Sequence, residues 1–243
     1  MSDYQMLNNV QHGALKIHTE RARQYGDDVM FCMTYPFEFR LALAHYPILI
    51  YQNPDDNQMF PVTLFGFEEG ENLFLNEQGS GWDAAYVPIM IQRQPFLIGY
   101  QQSSRDDERQ QVVSIDVNHP RVNQSSGEPV FNEQGGYSPY LEKVIKMLES
   151  IDGGHEQNRL MAEVLNKYDL VEPTTFEITL NDGSNHRLVG FSTVSEEKFE
   201  QLSGEALADL NTKGLLIPIT MMMASLSQLR GLIERRNAKL SQG

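Results

Sequence analysis

Six histidines stand at positions 12, 18, 45, 119, 155 and 186, together with a single cysteine, Cys32. Metal sites draw such ligands from short, defined spacings, and no histidine here has another four residues away. His18-Thr-Glu20 has the spacing from which an iron facial triad could start, but no third ligand can be identified beside it, and a polar N-terminal segment accounts for the pair. Cys32 becomes a nucleophile only where a cation or helix end lowers its pKa; without such a signature it reads as a small buried hydrophobe. The chain has no Gly-x-Ser-x-Gly elbow and no phosphate-binding Gly-x-x-x-x-Gly-Lys-Ser/Thr loop, and Gly79-Ser-Gly81 lacks the third glycine of a dinucleotide site. Asp55-Asp56 and Asp106-Asp107-Glu108 sit in polar loops, where solvated charge is the expected state. Trp82, Tyr86 and Phe96 with Arg93 offer stacking faces and a guanidinium suited to a carboxylate or peptide, although core packing with a snorkelling Arg is the commoner explanation of such a set. Met221 to Met223 could form an adaptable binding surface, but at helical spacing such a run is more often core.

Elements must hold these residues. Pro36 suits the start of a helix, and Pro47 ends it and launches the apolar strand Ile48-Leu-Ile-Tyr51. Val62, Leu64 and Gly66 alternate with Thr63, Phe65 and Phe67, so this strand is apolar on both faces and expected to be internal. A turn at Glu68 to Glu71 is expected to return the chain as a strand over Asn72 to Asn76. Pro88 opens a short helix ending before Pro95; Phe96 to Tyr100 and Val112 to Val117 read as strands around an exposed Gln-rich loop, Gln101 to Gln111. Ser138 caps a helix with Pro139 in its first turn, carrying the stripe Leu141, Val144, Ile145 and Leu148. Gly153-Gly154 is expected to interrupt it, giving two antiparallel helices or one broken one. Asn181-Asp-Gly-Ser184 marks a hairpin between Phe176–Leu180 and Arg187–Phe191. Leu215 to Leu226 reads as a buried helix of the core, and the last helix as filling the centre of the fold.

Composition narrows the partners. Nineteen Lys and Arg against 33 Asp and Glu leave a formal charge of −14, which repels nucleic acid and anionic membranes. Met1-Ser-Asp-Tyr-Gln5 lacks the basic start and apolar stretch of a secretory signal, and a lone cysteine excludes an intramolecular disulfide, so a cytoplasmic location is expected. No apolar stretch reaches the roughly 20 uninterrupted residues of a membrane span. The expected fold is a single α+β domain, 1–243, with a β-rich half to about 135 and a helix-rich half from about 136. Antiparallel hairpins and a mixed sheet would pack against C-terminal helices.

An ordered series of stretches resembles the bacterial SapC family, named after a gene associated with a surface-layer system. It comprises Glu38-Phe39, His45-Tyr46-Pro47-Ile48, Pro61-Val-Thr-Leu-Phe-Gly66 with Gly70-Glu-Asn-Leu-Phe74, and Trp82 with Tyr86-Val-Pro88, Arg93 and Pro95-Phe96. Gly127-Glu-Pro-Val-Phe131, Leu170-Val-Glu-Pro173, Gly190-Phe191 and the Leu207-to-Gly214 helix complete it, so that the resemblance runs from Tyr4 to Asn237. Leu7-Asn-Asn-Val-Gln-His12 and Tyr25-Gly-Asp-Asp-Val-Met30 are similar to a subgroup from marine proteobacteria, encoded near tryptophan-halogenase-like flavoproteins and cupin-type or iron/2-oxoglutarate oxygenases. Relatives often show two basic residues where this chain has only Arg93 within Gln92-Arg-Gln-Pro-Phe96, so a role needing both charges does not transfer. The resemblance implies no catalytic residues. The resulting expectation is an accessory or recognition module without a cofactor, binding a protein or peptide, with a neighbouring flavoprotein or oxygenase as candidate partner and a homodimer allowed. The candidate ligand-binding residues are His45, Tyr46, Asn72, Trp82, Tyr86, Arg93, Phe96 and Glu128. The competing reading is an oxygenase-like or hydrolase-like enzyme with dispersed metal or cofactor ligands, for which His45, His119, Asp116 and Glu128 are the first residues to test. A structural surface-layer role is a third class, and the absent secretion signal weighs against it.

Overall fold

The computed structural model describes residues 2–76, 81–102 and 109–241. Gly79 and Ser80 of the expected glycine turn, and the Asp106-Asp107-Glu108 run, lie outside them. The architecture is α+β, built from antiparallel sheets and packed helices.

The central sheet has five strands. β1 (Tyr4–Met6) belongs to another layer, as does β2 (Lys16–Ile17), which follows the one-turn helix α1 (Asn9–His12). The central sheet begins with β3 (Phe31–Met33) and continues, after α2 (Phe39–Ala42), with β4 (Ile48–Gln52) and β5 (Met59–Leu64). β5 lies between β4 and β3, which explains why Val62, Thr63 and Leu64 are all buried. The expected return strand over Asn72 to Asn76 is absent. Asn72 accepts from Phe74 N–H and donates to the Asp27 carbonyl, tying the segment into a turn, with a single bond from Leu73 N–H to Phe65 O. An asparagine that satisfies backbone groups through its side chain competes with a strand ladder.

A second, three-stranded sheet has the order β1, β7, β6, where β6 (Phe96–Gln102) and β7 (Arg109–Asp116) form a hairpin entered from α3 (Ile89–Gln92). A third, small sheet places β2 between β8 (Val122–Asn123) and β9 (Glu128–Pro129). The chain then enters α4 (Pro139–Lys167), capped by Ser138, whose hydroxyl accepts from Leu141 N–H at 3.1 Å. The helix is continuous through Gly153-Gly154 over 29 residues, contrary to the expected break. A Cβ on Gly154 would lie 2.5 Å from Cδ1 of the buried Tyr35 ring, so this glycine lets the helix and the ring approach closely. The roughly 1 kcal/mol that glycine forfeits inside a helix is small beside the packing that contact permits.

β10 (Val171–Thr179) and β11 (Asn185–Val194) form the expected hairpin, with Gly183 left-handed in its loop, and β11 pairs with β4. Strands from beyond residue 170 thus complete the sheet begun before residue 65. Helices α5 (Glu196–Glu200), α6 (Gly204–Thr212), α7 (Leu216–Ser225) and α8 (Gln228–Leu240) close the fold. α7 is half exposed rather than buried: Ile219, Met222 and Ser225 face inward while Ile217 is 55% exposed. By length and composition alone, 216–240 could cross a membrane, a property shared with core helices of soluble proteins. Here Ser225 Oγ accepts from Ile48 N–H at 2.8 Å, and Arg235 and Arg236 pair with Asp83 and Glu71.

Two apolar clusters result. The larger holds the five-stranded sheet, α6 to α8 and the second half of α4 through Met161, Val164 and Leu165. The smaller holds Phe96, Ile115, Val130 and the first half of α4 through Leu141, Val144, Leu148 and Ile151. α4, about 43 Å long at 1.5 Å per residue, is therefore common to both.

Candidate functional site

The residues singled out in the sequence divide among several places. Tyr46 is fully buried: its hydroxyl accepts from Trp82 Nε1 at 2.7 Å and donates to the Tyr86 carbonyl. Trp82 stacks near Phe74, with ring centroids 6.4 Å apart and planes 13° from parallel, and His45 lies edge-on to Tyr46. Tyr86 donates to Oε1 of Glu38 at 2.5 Å, and the same carboxylate accepts from Ile89 N–H at 2.8 Å and Thr34 Oγ1 at 3.2 Å. Burial raises the Glu38 pKa, partly opposed by those three donors. Burial also raises the Tyr46 and Tyr86 phenols, so both remain protonated donors. These groups satisfy one another, forming a brace between α2, α3 and the central sheet.

The others lie apart from that brace. Asn72 is a buried tie to Asp27, Glu128 is exposed on β9, and Phe96 is fully buried in the smaller cluster. Trp82 and Phe96 therefore belong to different clusters. Arg93 donates from Nη1 to Phe96 O at 2.7 Å and lines a cavity. Asp116 accepts from Asp3 N–H and Asn118 N–H, and His119 Nδ1 accepts from Arg121 N–H. Among the described residues no three His, Cys, Asp or Glu side chains are grouped to hold a metal ion. Cys32, packed against the larger cluster, has its thiol pKa raised by burial, which suppresses the nucleophilic thiolate.

A second buried polar unit was not legible in the sequence. Arg121, 1% exposed, places Nη2 at 2.6 Å from both Asp27 oxygens, and its Nη1 donates to His18 O and Glu20 O. Asp27 also accepts from Ala22 N–H, and the Tyr25 ring lies 5.1 Å from the guanidinium. Arg121 Nη2 and the Asp27 carboxylate are enclosed and hydrogen-bonded to one another, while Arg121 Nε has no partner; the pair acts as a clamp for the 18–27 segment.

The exposed chemistry gathers along α4. A cavity of about 370 Å³ lies between its first half and β1 and β7, bordered by Met6, Val113, Tyr137, Ile145 and Glu149. It shares Ile98 and Leu148 with a cavity of about 200 Å³ that also touches Met90, Arg93, Tyr100, Asp152 and His155. Asp152 and His155 in turn border an open cavity of about 710 Å³ lined by Met33, Met59, Phe60, Asn158 and Asn166. The three form one run from Leu141 to Asn166, roughly 38 Å at 1.5 Å per residue.

Its polar groups are placed by the fold. Asp152 accepts from the Tyr100 hydroxyl and from Gln111 Nε2 at 2.8 Å, bridging helix and hairpin. His155 lies edge-on to Tyr35, its Nε2 3.4 Å from the phenol, and although the residue is largely exposed, desolvation of the ring lowers its pKa. The imidazole is therefore neutral at pH 7. Asn158 donates from Nδ2 to Thr34 O at 2.9 Å, while its buried Oδ1 has no partner. Four carboxylates, Glu149, Asp152, Glu156 and Glu163, border the run against two guanidiniums, Arg93 and Arg159, and Arg159 is itself engaged by Glu156 and Glu163. Of the residues chosen from the sequence, only Arg93 belongs to this surface. The rest of it was hidden because its members are joined across β3, β5, α3, β6, β7 and α4 without local spacing.

A family model described as SapC matches residues 7–232. Searches of curated proteins and of solved structures return no match. The match spans α1 to the start of α8 and includes the Glu38 brace, the Arg121 clamp and the whole of α4, so on this coverage the chain belongs to the SapC family.

Proposed function

We propose that the chain is a recognition module that binds an extended, basic segment of a partner protein, or a peptide, in the run of cavities along α4. The supporting observation is the continuity of those cavities: three that share lining residues over roughly 38 Å fit an elongated ligand better than a compact one. The lining suits that role. Met6, Met33, Met59 and Met90 give an adaptable apolar surface, and Tyr100 and Tyr137, both more than half exposed, provide aromatic anchors. The excess of carboxylates favours cationic side chains. The module acts in the cytoplasm, with a flavoprotein or oxygenase from its gene neighbourhood as the first partner to test.

The test is a titration followed by fluorescence anisotropy, with two labelled peptides of about ten residues, one alternating Lys and Val and the other Glu and Val. The basic peptide binds, its affinity falls as salt is raised, and Asp152→Lys weakens it by roughly fivefold, equivalent to about 1 kcal/mol. Equal binding of both peptides, or none, overturns the reading.

A further inference from the structure

Among the described side chains, the arginines that the fold withdraws at least partly from water each face a carboxylate, with one exception. Arg21 and Arg121 pair with Asp27, Arg235 with Asp83 and Arg236 with Glu71. Arg93, half-buried at the end of α3, has no acidic partner among the described residues; its hydrogen bond runs from Nη1 to Phe96 O. Its Nε and Nη2 are not sealed in as the partnerless Nε atoms of Arg121 and Arg236 are, so they open on the cavity of about 200 Å³ that the residue lines. Burial draws the guanidinium below the ordinary arginine pKa, which is the behaviour of a cation that has given up water without gaining a counter-charge. Phe96, which Arg93 holds, starts β6 and lies about 20 Å of strand from Gln102, so the guanidinium is well away from the connection to β7.

The cavity around it suits a carboxylate carried on a short apolar arm. Leu97, Ile98, Leu148 and Ile151 provide walls for methylene groups, and a guanidinium fork matches the two oxygens of a carboxylate. Asp152, on the same wall, is committed to the Tyr100 hydroxyl and to Gln111 Nε2, and the neutral His155 adds no charge at pH 7. We infer that the central cavity is a carboxylate subsite: Arg93 receives one carboxylate of the bound segment, while Glu149 in one neighbouring cavity and Glu156 in the other attract basic side chains on either side of it. This rests on the peptide-recognition reading and specifies the sequence that is read, an acidic group bracketed by basic ones. A wholly acidic ligand is the poorer occupant, because the flanking carboxylates and the chain's charge of −14 repel it.

The experiment uses the full chain and the labelled Lys-Val peptide with an amidated C-terminus, each residue replaced in turn by Glu or by its neutral isostere Gln. Charge alone makes Glu weaker than Gln at every position; a carboxylate subsite makes Glu about tenfold tighter at one of them. The same peptide ending in a free acid tests the other source, and a gain of that size over the amide places a chain terminus at Arg93 instead of a side chain. In Arg93→Met the preference disappears, and in Arg93→Lys, which keeps a donor for Phe96 O but lacks the fork, it shrinks. If Arg93→Met does not fold, Arg93→Lys carries the comparison. If the amidated Lys-Val peptide binds but Glu is nowhere tighter than Gln and the free acid gives no gain, the subsite fails and the recognition reading stands. A preference that persists undiminished in the Arg93 variants also overturns the subsite. If no peptide of the set binds, both fail.

Discussion

Alanine at Gly153 and alanine at Gly154 should have opposite effects on stability, although the two positions are adjacent in the middle of α4. Each replacement removes the backbone entropy penalty of a helical glycine, worth about 1 kcal/mol in favour of the folded state. At Gly153 nothing lies within 4 Å of the new methyl, so that gain is kept. At Gly154 the methyl would sit 2.5 Å and 2.7 Å from Cδ1 and Cγ of Tyr35 and 3.0 Å from Cε1 of Phe37. Normal carbon contacts are about 3.5–4.0 Å, so the ring must retreat by about 1 Å. Tyr35 is completely buried, stacked on Phe37 and edge-on to His155, and has little room to move. Overpacking of this kind costs about 1–3 kcal/mol. Because the propensity gain is common to both variants, Gly154→Ala should be less stable than Gly153→Ala by about that 1–3 kcal/mol. Urea denaturation reads the difference as a midpoint lower by about 0.3–1 M for an m-value near 3 kcal/mol/M. Peptide affinity should fall in Gly154→Ala alone, since Tyr35 and His155 border or support the groove. Equal midpoints for the two variants would refute the close packing of α4 on Tyr35.

Arg121→Met leaves the Asp27 carboxylate buried with only Arg21, at 3.6 Å, as a cationic neighbour; the expected loss is about 3–5 kcal/mol by denaturation, and a loss under about 1 kcal/mol would contradict the clamp. Adding Asp27→Leu to that variant should recover part of the loss, because the stranded charge is removed. Glu38 titrates above its ordinary 4.5 in the folded state, so its contribution to stability is fully present below pH 4.5 and is lost as pH rises through the raised value. Glu38→Gln removes that dependence, so the stability difference between wild type and variant should narrow as pH rises in denaturation series; a difference that widens would reverse the assigned direction.

Much of the local structure was legible because local chemistry decides it. Ser138-Pro139 starts α4, Pro88 opens α3, and the Asn181-to-Ser184 loop sets the β10–β11 hairpin, each through backbone preferences that nearby residues do not override. Where tertiary contacts outweigh local preference, the reading fails. Gly153-Gly154 resembles a helix break until Tyr35, more than a hundred residues earlier, is known to require the missing side chain. Asn72 to Asn76 has the alternation of a strand, but the Asn72 amide is committed to Asp27. The α7 stretch is apolar enough to suggest full burial, yet only one side of it meets the sheet. The candidate site shows the same division. Trp82 and Tyr86 were found in an aromatic set whose third member, Phe96, lies in the other cluster; with Tyr46, a residue of a family stretch, they form a hydrogen-bonded chain that ends on Glu38, which also stood out only as part of such a stretch. Asp152, His155 and Asn158 look like ordinary polar positions of a surface helix; their significance comes from the two sheets that flank α4.

The central claim is that an extended basic segment lies along α4. Backbone amide NMR shifts of the chain titrated with the Lys-Val peptide test it most directly. The account predicts that the largest changes cluster at Ile98, in the segment 145–162 of α4, and at Met33 and Met59 where β3 and β5 border the same groove. Changes confined to the exposed side of α7, or spread evenly over the acidic surface, would contradict it.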